Sequence, residues 1–273
     1  MAENMDTYKW CPLDVFKKKI VPGEVDDGRR FALVVLNQPI EPVKHVFRHL
    51  WHNAHVKVLV DGAVNRVASC FGDSYSEYVP DIVCGDFDSA DEELLDHHRS
   101  TQGVAVHHTP DQNYTDFHKS LQVLVTHMSV HPQSKVDEVF VLGAFGGRVD
   151  QYFANVNVLH SVQATVPLPI YLLDDINLTW LLRSGQHIID VCSGLEGDWC
   201  GLVPVGSTCE SVTTSGLHWD LEGDRMEFGG LISTSNRLAT PTPHSVSVSC
   251  SHALLWCIGI NTSSISRGEQ SST

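Results

Sequence analysis

Apolar runs at 31–36, 56–60, 82–84, 104–106 and 139–142 alternate with stretches whose apolar residues recur at helical spacing. Phe31-Ala32-Leu33-Val34-Val35-Leu36 is apolar without a break, which marks a strand buried on both faces. Val43, Val46, Phe47, Leu50 and Trp51 then repeat as one face of a helix, as do Phe117, Leu121, Leu124 and Val125, and later Phe153, Val156 and Leu159. Residues 91–100 carry a further helical pattern, and Asn113 or Thr115 is placed to cap the helix that follows. Buried strands alternating with helices predict a mostly parallel α/β sheet.

The pattern changes near Pro167-Leu168-Pro169. Strand-like runs at 170–173, 178–182, 187–191, 199–205, 211–221 and 228–235 follow one another with Gly, Asp and Ser turns and no helix between them. Ser245-Val246-Ser247-Val248-Ser249-Cys250 alternates with period two. This half reads as an antiparallel β-sandwich. The expected organisation is an extension at 1–30, an α/β domain at 31–168, a β-sandwich at 169–261 and a polar tail at 262–273, with the boundary falling somewhere in 165–185.

Composition narrows the function classes. A net charge of −15 disfavours nucleic-acid binding but leaves room for a phosphorylated small substrate screened by metal. Eight cysteines without a CxxC predict free thiols in a reducing compartment. The start lacks a signal-peptide pattern, and no apolar run approaches a membrane span. The expectation is a cytoplasmic protein.

Four polar clusters each follow a buried strand or open a helix: Asp61 with Asn65 and Arg66, Asp86 with Asp88, Thr115 with Asp116, and Arg148 with Asp150. In open parallel sheets such strand ends line one crevice. Asp86 and Asp88 on an extended segment would face one spot, and carboxylates gathered this way call for a divalent metal, which in turn bridges phosphates. Gly62, Gly85, Gly143, Gly146 and Gly147 would let backbone amides reach phosphate oxygens, with Arg66, Lys119 and Arg148 screening charge. Neither a dinucleotide fingerprint nor a P-loop is present. Read singly, Asp61 would cap a turn, Lys119 would be a solvated helix residue, and Tyr114 and Phe117 would be packing; the coincidence of four clusters favours a site.

Several motifs in order across residues 31–260 resemble the eukaryotic thiamine pyrophosphokinases: Leu36-Asn37-Gln38-Pro39, Asp61-Gly62 with Asn65-Arg66, Gly85-Asp86-Phe87-Asp88-Ser89, Thr109-Pro110-Asp111-Gln112, Thr115-Asp116-Phe117 and Gly147-Arg148-Val149-Asp150-Gln151. The second half adds Thr213-Thr214-Ser215-Gly216-Leu217, Ser233-Thr234-Ser235-Asn236 and Leu254-Leu255-Trp256. The resemblance implies transfer of the pyrophosphoryl group of ATP to the thiamine hydroxyl with release of AMP, in a homodimer with active sites between subunits. It implies catalytic roles for Asp86, Asp88, Asp116 and Asp150, and Mg²⁺ on Asp86, Asp88 and Asp116. ATP would be held by Asp61, Gly62, Asn65, Arg66, Gly85, Thr115, Lys119 and Arg148, and thiamine by Gln112, Ser233, Ser235, Asn236 and Trp256. Ala63 stands where the family has a second glycine, and adds strain or a methyl clash if that position needs positive φ or close phosphate approach; Ala144 also replaces a common glycine. Two other readings stay open: a phosphatase with Asp86 as nucleophile and Asp174-Asp175 as its acidic pair, and a thiamine- or nucleotide-binding module without turnover.

Overall fold

The computed structural model describes residues 6–17, 28–262 and 265; most of the expected polar tail, and 1–5 and 18–27 of the expected extension, lie outside them. The first described strand, Thr7–Trp10 (β1), comes from that extension. The next element is the predicted buried strand, Phe31–Val35 (β2), whose five residues are all buried. The chain divides into two compact units, Ile20–Asp174 and a second made of Met1–Lys19 with Asp175–Thr273.

In the first unit β2 is followed by α1 (Lys44–Asn53), β3 (Val56–Val60), α2 (Ala63–Phe71), β4 (Ile82–Gly85), α3 (Glu92–Ser100), β5 (Ala105–His108), α4 (Asp116–Val130), β6 (Glu138–Leu142), α5 (Val149–Ser161) and β7 (Ile170–Leu173). All the strands pair in parallel, in the order β7-β6-β2-β3-β4-β5. Chain order reverses at the β2–β6 pair, so a crevice opens at the carboxyl ends of β2, β3, β4 and β6. Helix α2 was not expected from the sequence. Gly62 caps it at φ −61, Val64, Val67 and Phe71 are buried, and Gly72 at φ +51 ends it.

The second unit contains β1, β8 (Asn177–Leu182), β9 (Gly185–Asp190), β10 (Glu196–Val203), β11 (Cys209–Ser215), β12 (Glu222–Met226), β13 (Ser233–Asn236), β14 (Ser245–Cys250) and β15 (Leu254–Ile260). Among its described strands, one sheet runs β13-β10-β15-β8 and the other β1-β9-β14-β11-β12. Trp10 of the second sheet meets Trp180 of the first with ring centroids 5.8 Å apart, so their inner faces share a core.

Three limits differ from the expectation. Ile170–Leu173 joins the parallel sheet beside β6, where all four of its residues are buried. The leading segment is a built-in strand: β1 pairs in parallel with β9, and the Trp10 indole donates to His187 Nδ1 at 3.0 Å. The run 211–221 splits at Gly216 (φ +100), where the Asp220 carboxylate accepts from the Gly216 and Leu217 amides at 3.2 and 3.1 Å. No helix among the described residues is long and apolar enough to cross a membrane.

Candidate active site

The strand ends gather around Asp61. It follows β3 with φ +49, is 6% exposed, and its amide donates to the Cys84 carbonyl of β4 at 2.8 Å. Gly85 makes this approach possible, since a β-carbon there would lie 2.8 Å from Asp61 Cβ. Past Gly85 the backbone does not stay extended. Phe87 at φ +63 turns the chain, so Asp86 and Asp88 converge by a tight loop and not by strand alternation. The Asp88 amide donates to Asp86 Oδ1 at 3.3 Å, and the Ser89 hydroxyl to Asp88 Oδ1 at 2.9 Å. One oxygen each from Asp61, Asp86 and Asp88 lies within 4.8 Å of the other two. Three hard oxygen donors at that spacing suit Mg²⁺.

This trio differs from the expected Asp86, Asp88 and Asp116. Asp116, in the first turn of α4, accepts the Asp86 amide at 3.3 Å and pairs with Lys119 Nζ at 2.9 Å. Lys119 is 5% exposed and also donates to the Thr109 and Asp111 carbonyls, at 2.7 and 3.0 Å. A cation so engaged fixes the 109–111 turn and holds Asp116, and its three protons already have acceptors inside the protein. Thr115 caps α4, accepting the His118 amide at 3.2 Å. Asp150 also stands apart from the trio: it sits at the exposed start of α5, ion-paired with Arg148 (Arg148 Nε to Asp150 Oδ1, 3.1 Å).

Side-chain amides brace the trio. Gln112, expected on the thiamine side, donates to Asp86 Oδ2 at 2.9 Å. Asn65 donates to the Ser89 carbonyl at 2.8 Å and accepts the Asp91 amide at 2.9 Å, pinning α2 to the loop. Arg66 Nε donates to Asn37 Oδ1 at 2.8 Å, and a β-carbon on Gly62 would strike that Asn37 amide. The positive φ that would strain Ala63 is not required: it is a buried helical residue. Ala144 is likewise buried without positive φ, and its carbonyl accepts from Asn155 at 2.9 Å. Burial pushes the Asp61 carboxyl above the usual carboxylate range, against the pull of the Gly62 and Ser89 amides. Burial acts the same way on Asp86, but the Gln112 and Asp88 hydrogen bonds and the Lys119 charge outweigh it and lower its pKa.

The carboxylates face a cavity of about 560 Å³ whose lining also includes Asn37, Gln38 and Gln151. These three were legible only as motif letters. Gln38 is held by the glycine loop, where a β-carbon at Gly147 would lie 3.0 Å from its amide nitrogen.

The second unit holds the other expected residues. On β13, Ser233 and Asn236 are buried and Ser235 is exposed at φ +56. The Asn236 amide donates to the Trp219 carbonyl at 2.9 Å and to Ser233 Oγ at 3.2 Å, and its oxygen accepts the Trp219 and Arg237 amides at 3.2 and 2.9 Å. Trp256 does not present a ring to a ligand: β15 is buried on both faces, and Trp256 is 0% exposed opposite Trp180. The exposed aromatic beside Asn236 is Trp219, 56% exposed with the Arg237 guanidinium 5.3 Å over its ring.

Comparison with known proteins agrees with both halves. Residues 47–172 match the family described as thiamin pyrophosphokinase, catalytic domain, and residues 186–255 the thiamin pyrophosphokinase vitamin B1 binding domain. The chain is 33% identical to thiamine pyrophosphokinase 1 of Arabidopsis thaliana over 252 residues, covering 89% of this chain and 91% of that one. It is 35% identical to thiamine pyrophosphokinase 3 of Oryza sativa subsp. japonica, covering 85% and 88%. The crystal structure of yeast thiamin pyrophosphokinase shares the fold, with a TM-score of 0.78, 21% identity, and coverage of 95% of this chain and 93% of that one. Two successive family domains, matched relatives along nearly the full length and a common fold establish that this chain belongs to the thiamine pyrophosphokinase family.

Proposed function

We infer that this chain is an ATP:thiamine diphosphotransferase, moving the pyrophosphoryl group of ATP to the hydroxyl of thiamine and releasing AMP. The observation that carries the reading is the Asp61–Asp86–Asp88 trio at the strand ends, inside a cavity of a size for a nucleotide polyphosphate. The trio would hold Mg²⁺, which when bound screens the triphosphate charge and makes the attacked phosphorus more electrophilic. The chain's own contribution is positioning. Gln112 and the Asp88 amide fix Asp86, Asn65 fixes the loop, and Lys119 fixes Asp116 beside the Asp86 amide, where Asp116 or Asp88 can accept the hydroxyl proton. Arg66 and Arg148, both exposed, supply positive charge toward the polyphosphate, and Arg148 lines the cavity.

For the acceptor, Trp219 takes the stacking role expected of Trp256, with the buried Asn236 fixing the Trp219 backbone and Ser233 bonded to Asn236 behind it. The exposed Phe228, Leu231 and Ile232 next to Ser233 support a homodimer whose partner covers them. Eight free thiols support a cytoplasmic location.

Incubation with ATP, Mg²⁺ and thiamine tests the reading. AMP and thiamine diphosphate in equal amounts are expected. Phosphate release with label trapped on Asp86 would indicate the phosphatase alternative, and binding without any product the non-catalytic one.

A further inference from the structure

A second group of metal-competent side chains lies in the β unit, outside everything the proposed reaction uses. We infer that Asp190, Cys192 and His244 form a site for a borderline-soft divalent cation, Zn²⁺ first among them. One ligand atom from each lies within 4.8 Å of the other two. Cys192 Sγ is 2.9 Å from Asp190 Oδ1 and 4.0 Å from His244 Nε2. Tetrahedral zinc with S, N and O donors sets ligand–ligand separations of roughly 3.5 Å. The two gaps therefore miss that value by about half an ångström in opposite directions, within reach of small side-chain rotations.

The backbone holds the three together without a metal. Asp190 ends β9 in register with Ser245 of β14, and the Val191 amide donates to the His244 carbonyl at 3.2 Å, extending the ladder by one residue. Asp190 and His244 are thus fixed by a sheet end. Cys192 is fixed by its amide, which donates to Asp190 Oδ1 at 3.0 Å. The thiol proton now bridges sulfur and carboxylate. A metal would take its place, converting S–H···O into S–M–O with one proton released to solvent per chain.

Donor chemistry selects the ion. Mg²⁺ favours the all-oxygen trio of the α/β unit, whereas one thiol, one imidazole and one carboxylate favour Zn²⁺. Glu196 is not available as a fourth ligand, because its two oxygens accept the Ser193 amide and hydroxyl and the Gly194 amide at 2.7–2.9 Å. The fourth position opens on a cavity of about 800 Å³ lined by Cys192 and His244, so water or a small anion would complete the shell. Arg237 on the same cavity favours an anion there. Lys17, whose charge reaches Asp190 and Cys192, is held by Asp14 at 2.7 Å.

The inference does not rest on the proposed reaction, and its readout is not turnover. Full-length protein stripped with chelator is titrated with Co²⁺ in excess Mg²⁺, which keeps the oxygen trio filled. One Co²⁺ per chain with a thiolate-to-cobalt charge-transfer band is expected, bleached by Zn²⁺. C192S should abolish the band while keeping the far-ultraviolet circular dichroism, since serine can still donate to Asp190. H244A should weaken binding by more than roughly tenfold, the loss typical of even an outer-shell partner. Absence of the band, or an undiminished band in C192S, would overturn the site; should C192S misfold, an undiminished band in D190N with H244A would do the same.

Discussion

β2 and β6 bury every residue, whereas β14 alternates buried and outward-facing positions. The contrast separates two ways of placing polar chemistry. A parallel sheet covered on both faces has no room for a ligand group along its strands, so its functional side chains collect at strand ends, as Asp61 and Asp86 do. An antiparallel unit can carry polar residues within strands, but those must be satisfied where they stand, and Asn236 is tied by four hydrogen bonds. In the first unit, site residues should therefore be separable from stability. In the second, those built into a strand should not.

The sharpest test is D86N. Turnover should fall by at least about 100-fold, the loss typical of removing one preorganised electrostatic contact, while the melting transition moves by no more than about 0.5 kcal/mol. AMP formation and circular dichroism read the two halves, and near-normal turnover would remove Asp86 from the site.

K119M should break the rule from within the α/β unit. It strips three acceptors of their donor and leaves Asp116 without its cation, at a cost of about 3 kcal/mol in urea unfolding, discounted because Asp116 is 30% exposed. Loss of activity at wild-type stability would instead make Lys119 a substrate ligand.

Acid should destabilise the α/β unit through a group away from the crevice. Burial lowers the His98 pKa from 6.5 to about 4, and its Nε2 sits 2.6 Å from the Tyr75 hydroxyl. As pH falls below 6.5 the unfolded chain takes up the proton first, so stability is complete above 6.5 and is lost progressively toward 4. Between pH 7 and 5 the loss should be about 2 kcal/mol, and H98Q should flatten that slope in denaturant titrations.

Smallest and most diagnostic is the pair N236A and W219A. N236A should cost about 1–2 kcal/mol of stability as well as weakening thiamine binding, because four hydrogen bonds go with it. W219A should leave the melt unchanged and raise the KM for thiamine by about 3- to 10-fold, a stacking contribution of about 0.5–1.5 kcal/mol. Unchanged KM in W219A would return the stacking role to another aromatic.

Hydrophobic pattern alone determined the fold class, because continuous runs such as Phe31–Val35 and alternation such as Ser245–Cys250 report burial directly. It also located the carboxylate clusters, since strand-end placement follows from strand position. Three things came only from tertiary structure. Which aspartates meet was decided by φ +63 at Phe87 and by the approach of Asp61, some 25 residues away, to the Asp86–Asp88 loop, neither of which has a local signature. Whether a tryptophan is core or surface was decided by what covers its strand, which buries Trp256 and leaves Trp219 out. And Thr7–Trp10 gained a partner 177 residues away, through Trp10 and His187, that short-range periodicity could not reveal. Local patterning reports the face a residue turns inward; contacts distant in sequence depend on the packed chain.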